Sequence, residues 1–143
     1  MATCTFFGHR HISARIDHLL YESLALLINE KDVDNFLVGN EGQFDRMVQR
    51  VLARLKSEYP HINYCIVLAY LNSKIKPSAE SIYPEGLEKV PLRFAIPKRN
   101  EWMINRADYV VAYVSYTFGG SGKALEIAQR KKKTVINLAD KKP

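Results

Sequence analysis

The apolar run Tyr-Val-Val-Ala-Tyr-Val at residues 109–114 is followed by Gly119, Gly120, Ser121 and Gly122, after which a helical pattern begins at once with Lys-Ala-Leu-Glu-Ile-Ala. A continuously apolar, β-branched segment predicts a strand covered on both faces. Glycines that open straight into a helix predict the tight strand-to-helix turn of a layered α/β domain. The turn also has a chemical consequence. Without Cβ atoms, the main chain can bring its N–H groups against an anion at a helix N-terminus, where the helix dipole adds to the attraction. A phosphate-bearing ligand is the expected occupant.

The rest of the chain alternates in the same way. Residues 3–7 read as a short strand and 13–30 as a helix, with Ser13 available as N-cap and Ile16, Leu19, Leu20, Leu24 and Leu27 at helical spacing. Residues 35–38 read as a second short strand closed by Gly39. From 43 to 59, Phe44, Met47, Val48, Val51, Leu52 and Leu55 follow the i, i+3, i+4, i+7 template, and Pro60 ends that helix. Residues 63–70, NYCIVLAY, predict a third strand, buried on both faces. The segment 71–98 carries Pro77, Pro84, Pro91 and Pro97 without a clean period, and is expected to be a long binding loop or lid with one short helical turn. A short helix at about 99–105, the strand at 109–114, a helix at 122–132 and a strand at 134–138 complete the order. The pattern predicts an α/β fold in one domain spanning residues 1–143: a Rossmann-like, doubly wound, mostly parallel five-stranded sheet with helices on both faces.

In such a sheet ligands bind beyond the carboxyl ends of the strands, where the strand order reverses, here between the first and fourth strands. The first strand ends in Gly8, His9 and Arg10, the second in Gly39, Asn40, Glu41 and Gly42, and the fourth in the glycine turn. His9 and Arg10 are placed to cap the same phosphate, although His9 is equally suited to bonding the neighbouring backbone. Lys123 sets a point charge beside the turn or projects into solvent. Asp45, near the start of the second helix, suits a ribose hydroxyl, and equally suits compensation of the helix dipole. Tyr83 and, less so, Trp102 are candidates to stack on a base, with a core role the default for Trp102.

Charge narrows the partners only partly. The net charge is +6 and the pI about 9.3, but much of the excess lies in Arg130, Lys131, Lys132 and Lys133 and in the tail residues Lys141 and Lys142. Cations at the C-terminal end of a helix complement its dipole, and no aromatic residues interleave with them, so nucleic acid is a possible partner and not the favoured one. No apolar segment approaches the roughly 20 residues of a membrane span, and no leader pattern opens the chain, so a cytoplasmic protein without membrane partners is expected. Cys4 and Cys65 fall in apolar runs without metal-ligand spacing, which predicts buried free thiols and neither a metal site nor a cofactor. The apolar helix faces leave room for self-association as a homodimer.

Three blocks of the sequence together carry a family resemblance. Phe118-Gly119-Gly120-Ser121-Gly122-Lys123-Ala124-Leu125-Glu126 is preceded by Ala107-Asp108 and by Arg99-Asn100-Glu101-Trp102-Met103. This order resembles the SLOG superfamily, which groups the Lonely Guy (LOG) phosphoribohydrolases with DprA-type and YpsA-type Rossmann-like proteins. The LOG hallmark is PGGxGTxxE after an Arg-Lys-x-x-Met helix and an Ala-Asp strand opening; here Phe118 stands for the proline and Lys123 for the threonine. Gly8-His9-Arg10 and the block YPEGLEKVPLRFAIPKRNEWM look closest to the small YpsA-type branch, so the resemblance covers nearly the whole chain. It implies a 5′-phosphate held by Gly119, Gly120, Ser121 and Gly122. In LOG enzymes the corresponding Arg and Glu are catalytic, which by position implies Arg99 stabilising negative charge and Glu126 orienting or deprotonating water.

A P-loop is the nearest competitor, because Gly122-Lys123 is a Gly-Lys pair. Its pattern requires a glycine where this chain has Thr117, and a hydroxyl residue where it has Ala124. The expected function is therefore a sensor or sequestering module for a nucleotide-derived small molecule. Cleavage of the N-glycosidic bond of nucleoside 5′-monophosphates, and DprA-like binding of single-stranded nucleic acid, are the alternatives.

Overall fold

The computed structural model of the chain describes residues 1–12, 15–71, 77 and 79–141. Ser13, the expected first helix cap, lies outside the described residues, as do 72–76 and 78 of the proline-bearing segment and Lys142 of the tail.

Among the described residues, six strands form one sheet: β1 (Ala2–Gly8), β2 (Val33–Val38), β3 (Asn63–Val67), β4 (Ser81–Ile82), β5 (Tyr109–Tyr113) and β6 (Thr134–Asn137). All neighbours pair in parallel, in the order β4-β3-β2-β1-β5-β6. The helices are α1 (Asp17–Glu30), α2 (Gly42–Glu58), α3 (Ala95–Arg106) and α4 (Gly120–Arg130). The architecture is the expected Rossmann-like one, with one strand more than the five read from the sequence. β4 adds only two residues to the sheet edge, pairing Ser81 with Ile66 and Ile82 with Val67, and two residues are too short to show an alternating pattern.

Successive side chains of a strand point to opposite faces, and the core is built on that alternation. Phe6 packs with Phe36, Val38, Val111 and the apolar stripes of α1 and α2 on one face of the sheet. Its neighbour Phe7 packs with Leu37, Val67, Val110, Met103 and Ile104, and with Ala124 and Ala128 of α4, on the other. Burying each large side chain contributes about 1.5–3 kcal/mol, so both faces are held.

The proline-bearing segment is more ordered along its second half than its composition implies. Two short 3-10 turns, Leu87–Lys89 and Leu92–Phe94, lead into α3, which starts at Ala95 instead of near Arg99. Pro97 falls in the first turn of that helix, where a missing N–H forfeits no intrahelical bond. β3 ends at Val67, short of the expected Tyr70. The chain runs outward from β1 to β4, then returns to place β5 and β6 on the other side of β1. The reversal falls between β1 and β5, and the crevice at their carboxyl ends is the place such a sheet offers a ligand.

Candidate functional site

A cavity of about 380 Å³ opens at that crevice, within the range of roughly 300–1,000 Å³ usual for small-molecule pockets. Its walls come from the end of β1, the starts of α2 and α4, the inner side of α3 and the turn between β5 and α4. Eight of the residues singled out from the sequence line it: Gly8, His9, Arg10, Asp45, Arg99, Gly119, Gly120 and Ser121.

One wall is made of backbone. Gly119 is the N-cap of α4 with φ of 92°, a left-handed conformation that side chains oppose. The first bond of the helix runs from the Lys123 N–H to the Gly119 carbonyl at 3.1 Å. Among the described residues, nothing accepts a hydrogen bond from the amides of Gly119, Gly120, Ser121 or Gly122. Gly122 is buried against the Thr117 carbonyl carbon, which a Cβ would meet at 2.6 Å, so the turn closes tightly only on glycine.

His9 fixes this wall from behind. Its ring is buried, and its Nε2 accepts the Ser115 N–H at 2.9 Å. The neutral ring then carries its proton on Nδ1, which donates to the Ser121 hydroxyl at 3.0 Å. Ser121 keeps its own hydrogen to donate elsewhere. Burial pushes the His9 pKa down, in keeping with a neutral ring. Tyr116 stacks on the imidazole at a centroid distance of 3.7 Å, and Phe118 stacks on Tyr116 at 4.3 Å. His9 thus reaches the cavity largely through Ser121, while the side chain of Arg10 is exposed at the rim.

The facing wall is made of ions. Arg99 is only 3% exposed; its Nε donates to the Asn100 side chain at 3.1 Å and its Nη1 to the Val67 carbonyl at 3.2 Å. Asp45 is also buried, with Oδ2 accepting the Glu41 N–H at 2.9 Å. Burial pushes the Asp45 carboxyl up to about 6, against the opposing pull of the Arg99 charge. Burial likewise lowers the Arg99 pKa, partly offset by Asp45, and a guanidinium remains protonated throughout the working range. Gly39 makes room for the pair: a Cβ there would lie 2.7 Å from both Arg99 Nη1 and Asp45 Oδ2. Asn40 stands behind it, its Oδ1 accepting from Gln49 Nε2, which also donates to the Gly39 carbonyl.

The remaining residues lie elsewhere. Lys123 and Glu126 are exposed on α4 and do not line the cavity. Tyr83 lines a different cavity of about 460 Å³, with Tyr70, Leu87 and Val90. Trp102 packs against the second core cluster, under the guanidinium of Arg106 at 3.8 Å. Sequence reasoning placed Glu41 at a strand end without a role, and missed Asn100 and the ring pair Tyr116 and Phe118 as lining residues. The latter had a readable signal: aromatics two residues apart beside a glycine turn project to one side of an extended chain. Among the described residues, no cluster of three or more His, Cys, Asp or Glu side chains is arranged to hold a metal. No helix among them is long and apolar enough to cross a membrane.

The fold is shared with DNA processing protein A. The X-ray structure of that protein, DprA, from Streptococcus pneumoniae matches 94% of this chain with a TM-score of 0.69 at 18% sequence identity. This chain spans about half of the DprA chain, 49%. A UPF0398 protein of Halalkalibacterium halodurans is 23% identical, over 87% of this chain and 74% of its own length. No protein-family model matches the chain. The DprA-like fold and the similarity to a UPF0398 protein both support the SLOG superfamily resemblance.

Proposed function

We propose that this chain is a SLOG-type binding module, a sensor or sequestering protein for a nucleotide or nucleotide-derived phosphate. The observation that carries the reading is the run of unbonded amides at Gly119, Gly120, Ser121 and Gly122, the first three of which line a cavity at the sheet's reversal point. A phosphoryl group accepts from those amides and from the Ser121 hydroxyl, in the field of the α4 dipole. Arg99 supplies positive charge from the opposite wall, and the Asp45 carboxylate accepts from a ribose hydroxyl. Calorimetric titration with nucleoside mono- and diphosphates, cyclic dinucleotides and ADP-ribose derivatives tests the reading. Saturable binding of at least one class is expected, and silence across the panel overturns it.

A second reading, cleavage of the N-glycosidic bond of a nucleoside 5′-monophosphate, is favoured by one observation. Asp45 sits in the cavity wall with its carboxyl pushed up to about 6, beside a buried guanidinium, the condition of a group that exchanges protons near neutrality. Glu126, assigned that duty by the family resemblance, is exposed away from the cavity. Base release followed by chromatography separates the two carboxylates. Loss of release in Asp45→Asn with retention in Glu126→Gln assigns the proton transfer to Asp45, and the reverse assigns it to Glu126. Absence of release from the parent protein leaves the binding module as the function.

A further inference from the structure

Three rings stack where the end of β1 meets the loop between β5 and α4: His9, just after β1, and Tyr116 and Phe118 of the loop. His9 is the inner rung, clamped at both ring nitrogens by Ser115 and Ser121 and lying within 5° of parallel to Tyr116. Tyr116 is the middle rung, and Phe118 the outer one, inclined 23° to it. Phe118 is 73% exposed, so it adds little to the core. One of its faces covers Tyr116; among the described residues no ring covers the other. The ring is nonetheless held in place, because it rests on a stack whose far end, His9, is hydrogen-bonded to Ser115 of the β5–α4 loop and to Ser121 at the start of α4.

Its position gives the ladder a use. Phe118 immediately precedes the Gly119 cap, and its ring lines the same cavity as Gly119, Gly120 and Ser121. A molecule whose phosphate engages those amides therefore has an aromatic face within reach. We infer that Phe118 is the specificity-determining residue of this site, and that the ligand carries a flat heterocyclic base that continues the His9–Tyr116–Phe118 stack. The inference rests on the phosphate-binding reading and narrows it: nucleoside phosphates are selected over sugar phosphates that lack a base. Stacking on an exposed ring recognises any base and favours the larger purine face. The open rim beside Phe118 suits a base that enters from solvent while its phosphate engages the adjoining glycine turn.

The test compares AMP with ribose 5-phosphate, which shares the phosphate and sugar and lacks the base. Both are titrated by calorimetry into the full chain and into its Phe118→Ala and Phe118→Tyr variants. The parent protein is expected to bind AMP about tenfold more tightly than ribose 5-phosphate, equivalent to about 1.4 kcal/mol. Phe118→Ala is expected to lose that preference while holding ribose 5-phosphate as before, and Phe118→Tyr to restore it. The unchanged sugar phosphate affinity reports an intact glycine turn, which a merely structural role for the ring would not preserve. If ribose 5-phosphate binds and AMP gains nothing, or Phe118→Ala holds AMP as tightly as the parent, the stacking inference fails and the phosphate reading stands. If neither compound binds to the parent, the stacking inference fails, and the titrations with diphosphates, cyclic dinucleotides and ADP-ribose derivatives decide the phosphate reading separately.

Discussion

The two walls of the cavity are built from different materials. The α4 turn presents main-chain amides on an exposed, glycine-lined edge, where Gly119 and Gly120 are open to solvent. The facing wall presents Asp45 and Arg99, two ionisable side chains buried 6% and 3% exposed. An amide wall owes its charge to geometry and does not titrate. An ionic wall owes it to protonation and to the mutual support of two desolvated groups. The first should therefore be sensitive to volume and indifferent to pH, and the second sensitive to charge and pH.

The largest effect is expected from Arg99→Met. Removing the cation leaves the Asp45 carboxylate buried beside the vacated site and frees the Val67 carbonyl, which should cost about 3–4 kcal/mol of stability by urea unfolding. A loss under about 1 kcal/mol would show that the wall is not held by its charges.

Next comes Gly122→Ala. The added Cβ overlaps the Thr117 carbonyl, so the turn must shift, with an expected cost of about 2–3 kcal/mol and a loss of nucleotide binding of about 100-fold. Gly120→Ala is its control, since a Cβ there meets nothing within 4 Å. A stability change under about 0.5 kcal/mol is expected for it. If the two alanine variants behave alike, the amide wall does not depend on close packing at Gly122.

The pH dependence separates the walls most cleanly. The unfolded Asp45 carboxyl titrates near the ordinary 3.8, and the folded one near 6. Between these values the folded chain holds a proton that the unfolded chain has released, so this group makes stability fall as pH rises. Unfolding free energies from denaturant titration of the parent and Asp45→Asn should diverge across that window in favour of the variant, by about 2 kcal/mol at neutral pH relative to pH 4. Parallel curves would mean that Asp45 is not desolvated as described. Gly122→Ala should show no such divergence.

The amide wall was the more legible of the two in the sequence. Glycines, a preceding apolar strand and a following helix are local signals, and they located the turn and the reversal between the first and fourth strands. The ionic wall is non-local. Asp45 could be read as a first-turn residue, but nothing in its neighbourhood announced that Arg99 of α3 would be buried beside it over Gly39. The family resemblance pointed to Arg99, and paired it with Glu126 instead. Tyr83 was read as a candidate to stack on a base, as an aromatic side chain in the segment 71–98. The fold carries that segment to the sheet edge at β4, and the rings beside the glycine turn, Tyr116 and Phe118, are the ones that reach the cavity. Among the misses in the fold itself were a strand of two residues and a helix start hidden by Pro97. Both arise where local propensity is overruled by pairing or by position within a turn.

The most direct test is to follow the backbone amide resonances of 15N-labelled protein as AMP is added. The account predicts that Gly119, Gly120, Ser121 and Gly122 shift together and saturate on one curve, as a phosphoryl group takes up their N–H donors. Saturable binding that leaves those four amides unmoved, with shifts confined to the basic run at Arg130 to Lys133 or to the Tyr83 cavity, would contradict it.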